Sequence, residues 1–114
     1  MHDCPENVLS KRILDMAFKV HTAFGPGIYE SVNESILCYE LRKNGMSYAR
    51  QVPIEVHYDG ESFDEAFRAD VIVEDLVLLE LKSVEKIIPA HKKQVRTYLK
   101  VTGLRLGLLI NFGE

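Results

Sequence analysis

The sequence has no apolar run near the roughly 20 residues that a membrane helix requires. Its polar opening, Met1-His2-Asp3-Cys4-Pro5, does not read as a signal peptide. Tryptophan is absent, and cysteine occurs only at Cys4 and Cys38, with no CxxC or Cys/His spacing. That scarcity excludes a zinc module of familiar pattern and a disulfide framework, and it fits reduced thiols in a cytoplasmic protein. Repeats, linkers and low-complexity tracts are missing too, so residues 1–114 read as one domain, long enough for a core without covalent staples.

Excess positive charge is also lacking: the formal net charge is -3. A broadly basic, nonspecific nucleic-acid surface is thereby excluded, since phosphate binding of that kind needs local cations in number. Positive charge is nevertheless gathered in the second half, at Lys82, Lys86, His91, Lys92, Lys93, Arg96 and Lys100. A polyanion could meet it there.

Along the chain, Leu9, Ile13, Met16, Ala17, Val20 and Phe24 recur at helical spacing from about Asn7 to Phe24. Gly25-Pro26-Gly27 ends that helix and reads as a helix-to-helix turn, since it follows no strand and lacks the third glycine of a phosphate loop. A second helix runs from about Tyr29 to Lys43, with Val32, Ile36, Leu37 and Leu41 as its apolar stripe. Val52, Ile54, Val56 and Tyr58 then alternate as a strand over residues 51–58, with Pro53 marking an edge or a bulge and Asp59-Gly60 a hairpin turn.

Further strands are expected over about 61–73 and 76–83, a helix over about 90–102 with Val95, Tyr98 and Leu99 toward the sheet, and a last strand over 104–112. That last strand should lie beside the third, reached by a right-handed crossover. The order predicts one α/β layer sandwich whose mixed sheet is an antiparallel three-strand meander plus one crossover strand, flanked by helices.

Within the hairpin of residues 68–82, three charges stand where a core would not want them: Asp70, Glu80 and Lys82. Glu80 and Lys82, two apart, share a face, whereas Leu81 points opposite. Buried charge costs free energy unless it is paired, hydrogen-bonded or bound to metal. A two-residue loop at Glu74-Asp75 would set Ala69 against Glu80, so Asp70 and Glu80 can oppose each other only if the loop is odd (Glu74-Asp75-Leu76) or a bulge intervenes.

Opposed carboxylates repel, and a divalent cation between them turns repulsion into attraction. Their hard oxygens suit Mg²⁺, Mn²⁺ or Ca²⁺ rather than zinc. Lys82 beside the site could orient water and stabilise charge on a phosphoryl group. The competing reading pairs Asp70 and Glu80 with Lys82 and Arg68 as structural ion pairs. Glu30, at the start of the second helix, either complements the helix dipole or joins the metal site. His91, Gln94 and Tyr98 share one helix face, from which Gln94 could hydrogen-bond toward the site; His91 suits the helix start better than metal ligation. His2, His21 and His57 form no ligand pattern.

These residues resemble the GxxExxY family, small bacterial and archaeal proteins of the PD-(D/E)XK nuclease-like superfamily. Gly25-Pro26-Gly27-Ile28-Tyr29-Glu30-Ser31-Val32, Gln51-Val52-Pro53, Phe67-Arg68-Ala69-Asp70, Glu80-Leu81-Lys82-Ser83-Val84-Glu85, His91-Lys92-Lys93-Gln94 and Thr102–Phe112 match its signatures in order. The resemblance implies a restriction-endonuclease-like fold. It also implies metal held by Asp70 and Glu80 with the Leu81 carbonyl, Lys82 assisting the attacking water, and helix-borne site positions at Glu30 and Gln94.

The activity implied is metal-dependent phosphodiester hydrolysis with Mg²⁺ or Mn²⁺. The partner is nucleic acid, DNA ahead of RNA, with no membrane and with homo-oligomerisation open. One departure stands out: Asn33 replaces the family's tyrosine. Similar proteins often continue briefly past the last strand, so a closing edge element is expected to be absent. Because a fold does not confer activity, the alternatives are a non-catalytic nucleic-acid-binding module and an oligomeric interaction protein.

Overall fold

Helix α1 spans Pro5–Phe24 in the structure, a computed structural model that describes residues 4–114 apart from the side chains of residues 65 and 66. His2 and most of the polar opening lie outside the described residues. The helix starts earlier than the apolar spacing alone indicates, because Pro5 suits a first position whose N–H has no intrahelical acceptor. Gly25 closes it, donating its N–H to the His21 carbonyl at 2.7 Å. The Gly-Pro-Gly segment then leads into α2, Glu30–Lys43, as a helix-to-helix turn.

The strands are β1 (Tyr48–Tyr58), β2 (Glu61–Val73), β3 (Val77–Lys82) and β4 (Leu106–Asn111), with α3 (Pro89–Thr102) between the last two. They form one sheet in the order β1-β2-β3-β4, antiparallel across the first two junctions and parallel between β3 and β4. This is the meander plus crossover strand expected from the sequence. Pro53 lies on an edge strand, as its missing N–H demands, and the β1/β2 register shifts nearby, between Ile54 and Val56. Asp59 and Gly60 both take positive φ, +53° and +77°, as a two-residue hairpin turn of primed type requires. The second loop is Glu74-Asp75-Leu76, since Val73 pairs with Val77.

Helices cover both faces of the sheet. Ile13, Val20, Leu37 and Leu41 of α1 and α2 pack with Val71, Leu79 and Leu81 in one cluster. Val95 and Tyr98 of α3 pack with Ile54, Ala69 and Leu78 in the other. Each fully buried aliphatic side chain there contributes roughly 1.5–3 kcal/mol. In α2 the expected stripe is corrected at one position: Val32 is 41% exposed, whereas Asn33 and Glu34 turn inward. Their burial is tolerated because both are hydrogen-bonded, Asn33 to Ser83 and Glu34 to Arg50 and Gln51.

Where α3 crosses β4, Gly107 leaves the space its neighbours fill. A Cβ there would lie 2.7 Å from Val95 Cγ1 and 3.3 Å from both Leu99 methyls. Gly107→Ala should therefore push α3 off the sheet at a cost of about 1–3 kcal/mol, lowering the melting temperature by several degrees. An unchanged melting curve would mean that α3 adjusts freely and does not fix the crossing.

Candidate active site

The odd loop sets the parity that the site depends on. Continuing the Val73↔Val77, Ile72↔Leu78, Val71↔Leu79 register places Asp70 opposite Glu80, and the paired ladder stops there. In place of a ladder bond, the two acids clasp each other's backbone. The Asp70 N–H donates to Glu80 Oε1 at 3.2 Å, and the Leu81 N–H donates to Asp70 Oδ2 at 2.8 Å. A strand residue's N–H and C=O point to the same edge, so the Leu81 carbonyl also faces the β2 side. The next residue faces the other way: the Lys82 carbonyl accepts from the Phe112 N–H at 2.8 Å.

Glu80 is only 2% exposed. Burial first, then the negative charge of Asp70, pushes its carboxyl up to about 8; the Asp70 N–H and the Lys82 ammonium oppose the shift. Glu30, exposed at the mouth, joins the same field. Partial burial and the charges of Asp70 and Glu34 raise its pKa, while Lys82 and the Ser83 N–H lower it. Glu30, Asp70, Glu80 and Lys82 thus come within electrostatic reach of one another from α2, β2 and β3. Among the described residues, neither Asp70 nor Glu80 makes an ion pair with Lys82 or Arg68, contrary to the structural ion-pair reading.

Glu34 and Arg50, which the sequence did not single out, shape the cleft together with the signature residue Gln51. Glu34, 5% exposed, accepts from Arg50 Nε at 2.9 Å with one oxygen and from Gln51 Nε2 at 2.9 Å with the other. Gln51 lines the cleft with Tyr29, Glu30, Glu34 and Asp70, and by register it stands opposite Asp70. Its φ of +50° is a left-handed conformation that side-chain-bearing residues avoid, at a cost of order 1–3 kcal/mol.

The sheet changes face at this pair. Val71 and Val73 pack under α1 and α2, yet Phe67 and Ala69, of the same parity, pack under α3. Opposite them, Tyr48 belongs to the first cluster, and Val52 and Ile54 to the second. The alternation therefore inverts at Gln51 and Asp70 without an inserted residue, because the register on either side is continuous. No strong sequence signal announces this: the left-handed position carries neither glycine nor asparagine.

The helix-borne positions divide. His91 Nδ1 accepts the Ile88 N–H at 3.1 Å, which is the helix-start role expected of it. Gln94 donates to the Tyr98 hydroxyl at 3.0 Å within α3, and Tyr98 meets Phe67 edge-on at 5.4 Å. The structure thus ties Gln94 to the α3–β2 packing rather than to the four charged groups. Asn33, 1% exposed, donates to Ser83 Oγ at 3.3 Å and braces α2 against the segment after Lys82. Cys38 is buried, its thiol pushed up to about 11, chiefly by desolvation, and is inert; Cys4 is free as well.

The donor set fits a hard divalent ion. Among the described residues no three of His, Cys, Asp and Glu form a ligand cluster, so Asp70 and Glu80 would supply two carboxylates and leave other positions to a carbonyl and water. Among the described residues, no helix is long and apolar enough to cross a membrane. A sequence model of the PD-(D/E)XK nuclease superfamily matches residues 7–114. No curated protein and no solved structure matches the chain.

Proposed function

Because the chain belongs to the PD-(D/E)XK nuclease superfamily, we propose that it is a metal-dependent nuclease of the GxxExxY group, hydrolysing phosphodiester bonds in nucleic acid, DNA ahead of RNA. The observation that carries this reading is the clasp of Asp70 and Glu80. Two acids are forced together at the point where β2 and β3 stop pairing, and the buried one is so disfavoured as an anion that its carboxyl rises to about 8. Repulsion maintained in a core is the state that a bound cation relieves.

Asp70, Glu80 and the Leu81 carbonyl would hold Mg²⁺ or Mn²⁺. A divalent ion at that position supplies Lewis acidity and lowers the pKa of bound water. Lys82, on the same face as Glu80, orients the attacking water and offsets charge gathering on the phosphoryl oxygens. Glu30, its carboxyl raised by partial burial and by Asp70, accepts or returns a proton at the cleft mouth. Gln94 has a positioning part, exerted through Tyr98 and Phe67 on the strand that carries Asp70.

A second reading rests on charge. Glu30, Glu34 and Asp70 line the cleft, and the chain's net charge is -3, so without a cation the site repels phosphate. A binding module with a vestigial site would keep its nucleic acid elsewhere, on the Lys92, Lys93, Arg96 and Lys100 side of α3. Incubating single-stranded and duplex DNA and RNA with Mn²⁺ separates the two. The nuclease reading expects Mn²⁺-dependent cleavage that drops on the order of 10²–10³-fold in Lys82→Ala. Binding without cleavage would establish the module instead.

A further inference from the structure

In an unbroken pleat Asp70 would share the face of Ile72, which packs in the cluster under α3. Instead Asp70 opens into the cleft with Glu30, Ser31 and Glu34 of α2. On β1 the same change of face falls between two near neighbours: Arg50 reaches Glu34 on α2, whereas Val52 packs under α3. Between them stands Gln51, at φ +50° and opposite Asp70 by register. Antiparallel strands keep their pleats in phase, so an inversion on β1 is matched on β2. The side chains of consecutive strand residues normally point to opposite faces. Arg50 and Gln51 instead converge on one carboxylate. Glu34 Oε2 accepts from Arg50 Nε at 2.9 Å and lies 2.9 Å from Arg50 Nη2, while Glu34 Oε1 accepts from Gln51 Nε2 at 2.9 Å. A regular pleat would send those two donors apart; the left-handed residue lets one acid hold both.

We propose that Glu34 is a positioning residue for Asp70: by gripping Arg50 and Gln51 together it fixes the left-handed backbone that turns the Asp70 carboxylate out from under α3 and toward Glu30. The grip is rigid because Glu34 is buried, and a buried carboxylate is stable only while its oxygens keep their donors. With both oxygens engaged by β1, Glu34 acts on the site through the backbone and not as a ligand. Its effect is relayed across one strand pair, from α2 to Gln51 and from Gln51 to Asp70. The part Glu34 plays in catalysis rests on the nuclease reading; the part it plays in placing Asp70 does not.

Amide exchange and metal titration on the whole chain test it. The Leu81 N–H, whose acceptor is Asp70 Oδ2, reports where that carboxylate stands in the metal-free protein. Glu34→Ala should speed exchange at Leu81 by at least about tenfold and leave the Val71–Leu79 part of the ladder as in the wild type. Calorimetry should show Mn²⁺ bound roughly 10–100-fold more weakly, the loss typical of removing a group that orients a ligand. Glu34→Gln, which keeps one of the two grips, should fall between. Adding Gln51→Gly to Glu34→Ala should restore both readings to within about threefold, because glycine takes positive φ as readily as negative and needs no grip. Should the alanine variant fail to fold, Glu34→Gln with and without Gln51→Gly carries the same comparison. Leu81 exchange or Mn²⁺ affinity that ignores both Glu34 variants would overturn the proposal, as would a glycine variant that restores neither. A wild type that neither binds Mn²⁺ nor cuts nucleic acid would overturn the nuclease reading instead, and the Leu81 amide would still decide whether Glu34 places Asp70.

Discussion

Asp70→Asn is expected to cut Mn²⁺-dependent cleavage by roughly 10³-fold while raising, not lowering, the melting temperature of the metal-free protein at pH 7. The two effects have opposite signs because Asp70 does opposite things in the two states. Asparagine keeps a side-chain oxygen for the Leu81 N–H, which now bonds Asp70 Oδ2 at 2.8 Å, so the clasp survives. The substitution removes the charge that, after burial, does most to push Glu80 upward. Without a cation that charge only destabilises; with one it is a ligand. Thermal shift with and without Mn²⁺, run beside an oligonucleotide assay, checks both arms. An Asp70→Asn protein that melts lower in both conditions would show Asp70 to be a structural acid, and the nuclease reading would lose its main support.

Glu80→Gln should flatten a pH dependence that the wild type shows with an unusual slope. A carboxyl whose folded pKa is raised, here to about 8, binds more protons in the folded than in the unfolded state between the ordinary carboxylate range and 8. The contribution of Glu80 to the stability of the metal-free protein should therefore be full below about pH 4 and fall as pH climbs toward 8, the reverse of the usual carboxylate behaviour. The full effect is on the order of a few kcal/mol at most. Glutamine imitates the protonated acid, keeping a donor toward Asp70 and an oxygen for the Asp70 N–H, so it should match the wild type near pH 5 and exceed it at pH 8. Saturating Mn²⁺ should reverse the wild-type slope, because metal and proton compete for the same oxygens. Denaturant melts across that range, with and without the ion, supply the measurement; a wild-type curve as flat as the variant's would mean that Glu80 is already ionised in the free protein.

The centre of this site was readable from spacing, and its surroundings were not. Opposition of Asp70 and Glu80 follows from strand parity once the loop is odd, and the loop is Glu74-Asp75-Leu76. His91 was readable as a helix-start group because histidine in a first turn has a backbone amide within reach. Sheet order followed from the hairpin signals and from a helix separating the last two strands.

What escaped was set by tertiary contacts. Buried Glu34 looks like an exposed helix residue until Arg50 and Gln51 arrive from β1 to satisfy both its oxygens. With Asn33 bonded to Ser83, the same rotation of α2 exposes Val32. The change of face at Gln51 and Asp70 escaped because period-two reasoning assumes an unbroken pleat, and a left-handed glutamine breaks it without punctuation.

The three-residue loop has a consequence for how this gene can vary. Losing a single codon between Val73 and Val77 would turn β3 inside out: Leu81 would look where an acid must stand, and Glu80 with Lys82 would be driven into the oily layer beneath the first two helices. A substitution there touches one side chain, whereas a deletion flips six residues together. Descendants of this sequence should tolerate many letters in that hairpin and almost no change in its length.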